Sequence, residues 1–184
     1  MVHVKDNFLD KEFFNKIVDE FTSPHIPYYL QHGVVNANND KDIQFTHQIY
    51  YFGQSTSHLF DMIQPLYKKL NVSTLLTCKV NFLYRTDKVI QHGFHIDIDD
   101  TNKEQNKNYE SKTAILYLNT NNGYTIFKNG EKVYSVANRL VKFSNNLEHS
   151  GATNTCKTPY RLALIINYLP TELYRQNPVS YTAS

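Results

Sequence analysis

The 184-residue chain predicts a mainly β fold, a barrel or sandwich with α-helices flanking it on the N-terminal side. Three observations carry this expectation. From Ser73 onward, short runs rich in β-branched and aromatic residues alternate with turn residues, as in TLLTCKVNFLYR, TAILYLN, RLVKFS and RLALIINYL. Ahead of Ser73, apolar residues recur at helical spacing in two stretches. Between YTIF and KVY, Asn129-Gly130 suits the primed turn of a hairpin.

Taken in order, Asp10 is placed to cap a first helix whose stripe is Phe13, Phe14, Ile17, Val18 and Phe21, expected on the outside of a sheet. The segment Pro24 to Asp40, with two prolines, a glycine and an Asn/Asp cluster, reads as loops and short strands, and FTHQIYYF as a strand. A second helix is expected over Ser55 to Leu70, with Leu59, Phe60, Ile63, Leu66 and Tyr67 on one stripe and Lys68 and Lys69 in its last turn. Pro65 inside it either kinks the helix or moves its start later. The β strands then follow, HIDI among them. The polar run Asp100 to Lys112 is either a disordered loop or a lid over bound substrate. The expected organisation is one domain over 1–184: helical and loop support to about 72, a β core over 73–170 and a polar tail over 171–184.

Composition narrows the function classes. A formal charge of +2 without a concentrated basic run gives no reason to expect nucleic acid, and the mildly basic balance suits a small dicarboxylate equally well. No apolar stretch approaches the length of a membrane helix and the N-terminus has no signal-peptide core, so a cytoplasmic protein is expected. Cys78 and Cys156 read as free thiols of a reducing compartment.

The chemistry concentrates in HGFHIDID. His95 and Asp97, two apart in an extended chain, point to one face about 6.6 Å apart along the strand, so imidazole and carboxylate can converge on one ion. A third ligand would come from His149, in the short polar turn LEHSG before the last apolar strand. Two histidines and one carboxylate with open positions opposite form the ligand set of non-haem Fe(II) oxygenases. Twelve residues beyond His149, Arg161 opens a strand on which Arg161, Ala163, Ile165 and Asn167 share one face. Pointing outward it is a surface charge; pointing inward, a bare guanidinium is too costly to bury and calls for a ligand carboxylate held bidentately, with Ala163 leaving room. His92, three before His95, projects to the opposite face of a strand and reads as structural or as a support behind the ligands. Asp99 lies about 13 Å from His95 along an extended chain and cannot replace Asp97. His3, His25, His32, His47 and His58 read as ordinary surface or packing residues, and Arg139 as an exposed strand charge or a residue at the pocket mouth.

Over Thr74 to Leu169, the motifs HID, TAILYLN with NNGYTIF, RLVKFSN leading into EHSG, and YRLAL resemble the 2-oxoglutarate/Fe(II)-dependent oxygenases, especially their prolyl 4-hydroxylase-like branch. The resemblance implies a double-stranded β-helix of the jelly-roll or cupin-like kind, with Fe(II) on His95, Asp97 and His149. It further implies that 2-oxoglutarate chelates the iron and that its far carboxylate pairs with Arg161. Tyr117 and Tyr84 match positions that touch the cosubstrate, Asn81 being the alternative to Tyr84. The resemblance also implies O2 as the oxidant, with ascorbate as a candidate accessory reductant, and succinate, CO2 and a hydroxylated C–H bond as the products. Asn122-Gly123 stands where the family has two glycines, and Lys157 is a possible substitute for Arg161. The resemblance leaves a prolyl residue of a peptide and a small metabolite as substrate classes, with a nucleic-acid demethylase and a non-catalytic β-barrel binding module behind them. Oligomeric state is not legible.

Overall fold

The computed structural model describes residues 1–32, 43–98 and 111–171. Asp99, most of the Asp100–Lys112 loop, the second part of the Pro24–Asp40 segment and all but the first residue of the 171–184 tail lie outside the described residues. In chain order the elements are β1 (His3–Lys5), α1 (Lys11–Phe21), β2 (Tyr29–His32), β3 (Ile43–Tyr51), β4 (Gln54–Ser55), α2 (Gln64–Lys69), β5 (Val72–Tyr84) and β6 (Lys112–Tyr117). There follow β7 (Tyr124–Phe127), β8 (Lys132–Tyr134), β9 (Leu140–Ser144), β10 (His149–Gly151) and β11 (Tyr160–Pro170). They build two antiparallel sheets. The larger runs β1-β9-β6-β11-β5-β3-β2 with β4 on β3, and the smaller runs β10-β7-β8. This two-sheet arrangement is the expected double-stranded β-helix.

Strand alternation sorts the core into two layers. On β11, Leu162, Leu164, Ile166 and Tyr168 face outward into a cluster with Phe14, Ile17 and Phe21 of α1 and Leu66 of α2. Ala163 and Ile165 face inward and pack with Ile115, Val141 and Phe143 of the large sheet and Phe127 and Val133 of the small one. Arg161 and Asn167 share that inner face, which settles the choice for Arg161: it points into the barrel. α1 starts where expected, with the Phe13 N–H donating to the Asp10 carboxylate at 2.8 Å.

Two expectations are corrected. The second helix begins at Gln64, not Ser55, and Pro65 sits in its first turn, where its missing N–H leaves no hydrogen bond unmade; residues 56–63 form turns that still bury Leu59 and Ile63. The β7–β8 connection spans the four residues 128–131, and in it the Gly130 N–H donates to the Phe127 carbonyl. Gly130 alone takes positive φ (+86°) there, so the turn is a type I turn with a bulge in place of the primed pair. Among the described residues no helix is long and apolar enough to cross a membrane.

Candidate metal centre

After β5 the chain leaves the large sheet and runs along the edge of the small one. HIDI therefore forms no strand of its own. Instead His95 and His149 oppose each other and exchange both backbone hydrogen bonds at 3.0 Å, with a second bridge between Gln91 and Ala152. His149 consequently belongs to a strand, β10, and not to a turn. The two imidazoles lie 4.8 Å apart between centroids, and Asp97, two residues on, reaches between them.

Asp97 Oδ1 is 3.7 Å from His95 Nε2, and Asp97 Oδ2 is 3.7 Å from His149 Nε2. These distances exceed hydrogen bonds. They suit ligand atoms bound at about 2.1 Å to one ion, which stand roughly 3 to 4 Å apart. Each ring turns Nδ1 to a backbone carbonyl, His95 to Gly93 at 3.2 Å and His149 to Leu147 at 3.1 Å, so both Nε2 atoms face the carboxylate. The Phe143 ring packs edge-on against His149 at 4.8 Å. Asp97 Oδ2 is buried without a hydrogen-bond partner among the described residues. A buried anionic oxygen with no donor is unfavourable by itself and well matched to a cation. The donor set thus fits a divalent iron.

Electrostatics follow the geometry. Burial works to raise the Asp97 carboxyl, but the His95 and His149 imidazoles and the Lys79 charge outweigh it and hold the group at about 2. Burial works to lower His95, and the Asp97 carboxylate overrides it, leaving His95 above its ordinary value. His149, more enclosed, is pushed below its ordinary value by burial. The same carboxylate thus meets one imidazole inclined to carry a proton and one inclined to stay neutral.

A cavity of about 330 Å³ opens from the triad toward Arg161, walled by Asn81, Leu83, Ile115, Ala163 and Ile165. Arg161 is 4% exposed. Its Nε donates to Ser135 Oγ at 2.7 Å, its Nη2 to Thr125 Oγ1 at 3.1 Å, and its guanidinium lies over the Tyr117 ring at 5.2 Å. No carboxylate pairs with it among the described residues, and burial lowers its pKa. Gly123 makes room for it, since a Cβ there would stand 2.7 Å from Arg161 Cδ.

No family model and no curated protein sequence matches the chain. Solved structures do. A 2OG-Fe(II) oxygenase family oxidoreductase from Burkholderia pseudomallei superposes with a TM-score of 0.64 at 13% identity, over 91% of this chain and 84% of that one. A prolyl hydroxylase from Trichoplax adhaerens, in complex with a hypoxia inducible factor peptide, gives 0.59 at 14% identity over 96% and 86%. The epimerase SnoN, in complex with Fe3+, alpha ketoglutarate and nogalamycin RO, gives 0.61 at 13% over 100% and 87%.

The fold is that of the 2-oxoglutarate/Fe(II) oxygenases.

Within this oxygenase fold the structure brings His95, Asp97, His149 and Arg161 around one cavity. Tyr117 lies beneath Arg161, fully buried, its hydroxyl donating to Thr125 Oγ1 at 2.8 Å, so it supports the guanidinium and does not line the cavity. Tyr84 is misplaced by the sequence reading. It is 57% exposed and packs against Phe45 and Phe82, on the β5 face opposite Asn81. Asn81 takes its place in the wall, with a buried Oδ1 that has no partner among the described residues. Lys157 is exposed, as expected, and Arg139 pairs with Asp6 at the surface. His92 is a correction: it lines the cavity, because the segment before His95 forms no strand and its two bridges, Gln91 to Ala152 and His95 to His149, are one residue out of register, so strict alternation does not carry across it. Sequence reasoning also missed Lys79, Gln44 and Gln31 in the wall. Lys79 was legible, since it shares the strand parity of Asn81.

Proposed function

We propose that this chain is a 2-oxoglutarate- and O2-dependent Fe(II) dioxygenase that hydroxylates a C–H bond and releases succinate and CO2. One observation carries the reading: a His-Asp-His ligand set shares a cavity with a buried guanidinium that no carboxylate neutralises among the described residues. His95, Asp97 and His149 would hold the metal through Nε2, a carboxylate oxygen and Nε2, both rings being fixed by their backbone carbonyls. Arg161, its Nε and Nη2 already directed at Ser135 and Thr125, offers its remaining N–H groups to the far carboxylate of the diacid. Asn81 adds a neutral polar contact from the wall, and Leu83, Ile115, Ala163 and Ile165 keep water from the site. Bound iron and 2-oxoglutarate supply the oxidising chemistry, O2 cleavage coupled to decarboxylation of the oxo acid.

For the primary substrate, a prolyl residue of a peptide is supported by the likeness to prolyl hydroxylases from Trichoplax adhaerens and Pseudomonas putida, the latter at a TM-score of 0.56 and 15% identity. A small molecule is supported by the likeness to SnoN. Anaerobic titration of the Fe(II)-loaded protein with 2-oxoglutarate is expected to give a weak visible charge-transfer band. Succinate release, screened over proline-containing peptides and free metabolites with ascorbate present, then separates the substrate classes. Asp97→Ala is expected to abolish both band and succinate, and unchanged turnover in that variant would rule out the ligand assignment.

A further inference from the structure

Lys79 stands where the cavity at the triad meets a second cavity of about 280 Å³, and together with Asp97 it walls both. The register fixes its place. Across the inner face of β5 and β11, Leu83 lies opposite Arg161, Asn81 opposite Ala163, Lys79 opposite Ile165 and Thr77 opposite Asn167. Lys79 is therefore two rows beyond Arg161, about 13 Å along the strand. A five-carbon diacid, with four C–C bonds of about 1.5 Å, spans about 5 Å between its end carbons. Anchored on Arg161, it ends roughly a row short of Lys79.

In the second cavity the side-chain amides of Asn167 and Gln48 and the Thr77 hydroxyl are already engaged. Asn167 Nδ2 donates to Thr77 Oγ1 at 3.0 Å and Asn167 Oδ1 accepts from Thr113 Oγ1 at 2.8 Å. Gln48 Nε2 donates to the Tyr50 and Cys78 carbonyls at 2.7 and 2.9 Å. Lys79 makes no hydrogen bond or ion pair among the described residues. Charge leads to the same place: ferrous iron, Asp97, a bound diacid and Arg161 sum to zero, which leaves the half-buried Lys79 ammonium without a counter-ion. On the far side of this cavity the Tyr51 and Phe52 rings meet edge to face at 4.9 Å and offer an apolar wall.

Resting on the oxygenase reading above, we propose that Lys79 is a specificity-determining residue that binds a carboxylate of the primary substrate, seated in the second cavity against Tyr51 and Phe52. The acid is either a free small carboxylic acid or a carboxylate carried by a peptide. The test titrates the anaerobic Fe(II) and 2-oxoglutarate complex with matched pairs: N-acetylproline and its amide for the free acid, and a proline-containing tetrapeptide with a free or amidated C-terminus for the peptide. The readout is perturbation of the visible band. At least one acid is expected to bind tenfold or more tighter than its amide, and the pair that shows this identifies the source. Lys79→Met is expected to remove the preference and Lys79→Arg to keep it, while the 2-oxoglutarate Kd changes less than threefold in both. Equal binding of acids and amides by the unaltered protein overturns the proposal. So does a tenfold loss of 2-oxoglutarate affinity in Lys79→Met, which would assign Lys79 to the cosubstrate. Absence of any 2-oxoglutarate band in the unaltered protein overturns the oxygenase reading instead. In that event saturation-transfer NMR on metal-free protein with the same pairs still decides Lys79, and no acid preference there overturns its role.

Discussion

A single missing methyl group sets the position of the buried cation. Gly123 is flanked by Arg161 Cδ, Asn121 Oδ1 and the Ala152 carbonyl, at 2.7, 2.9 and 3.0 Å from where its Cβ would lie. Two of these cannot move freely, because Arg161 is held by Ser135 and Thr125, and Ala152 is part of the backbone bridge to Gln91. Gly123→Ala is therefore expected to displace the guanidinium and raise the KM for 2-oxoglutarate at least about tenfold, with metal affinity within about twofold of the unaltered protein. Steady-state kinetics beside a metal titration checks both halves. The same local reading explains which residues were legible. Arg161 and Ala163 follow from strict alternation along an uninterrupted strand, and so does the outward placement of Leu162 and Leu164. Tyr84 fails on that very rule, since it differs in parity from Asn81, and a family motif does not override which way a pleat points.

The elements that carry the site are tied together by side chains whose partners are remote in the chain. Asn138, at φ +62° in the turn before β9, donates from Nδ2 to the Leu9 carbonyl at 2.8 Å and accepts from the Leu9 N–H at 2.9 Å. Its own carbonyl accepts from the Phe8 N–H at 3.0 Å, so the approach to α1 is fastened to the β8–β9 turn. Asn138→Ala leaves two buried backbone groups unpaired and puts a β-carbon residue without a polar side chain in the left-handed region, an expected cost of about 2 to 4 kcal/mol. Urea unfolding should show a lower midpoint at unchanged slope. Little of this was readable beforehand, because a turn residue's partner 129 positions away leaves no periodic trace. The same limit applies to HIDI. Its side chains meet His149 because the backbone bridges to β10 at one point, not because a strand extends through it, and local composition carries no sign of that. The second helix shows the converse, where Pro65 marked the true start and the apolar stripe obscured it.

At the scale of the molecule, the triad couples acid stability to metal binding. Asp97 is held at about 2 in the folded chain against 3.8 ordinarily, so its contribution to metal-free stability is present above about pH 4 and is lost as pH falls through 2. The difference corresponds to about 2 kcal/mol. His149, lowered by burial, takes its proton more readily when unfolded, so it favours unfolding as pH drops below its ordinary 6.5. His95, raised, works against that in the same range. With metal bound, protons compete for both imidazoles, so affinity for Fe(II) or a substitute divalent ion is expected to fall steadily from pH 7.5 to 5.5, and the metal-dependent gain in Tm with it. Thermal scans with and without metal across that range check the sign. The paired amides of His95 and His149 carry a further consequence: an ion bridging the two side chains acts as a reversible staple between stretches of polypeptide far apart along the chain. It shrinks the set of conformations open to everything threaded between them. Deuterium uptake at those two amides should slow on loading, marking occupancy of the centre independently of the visible band.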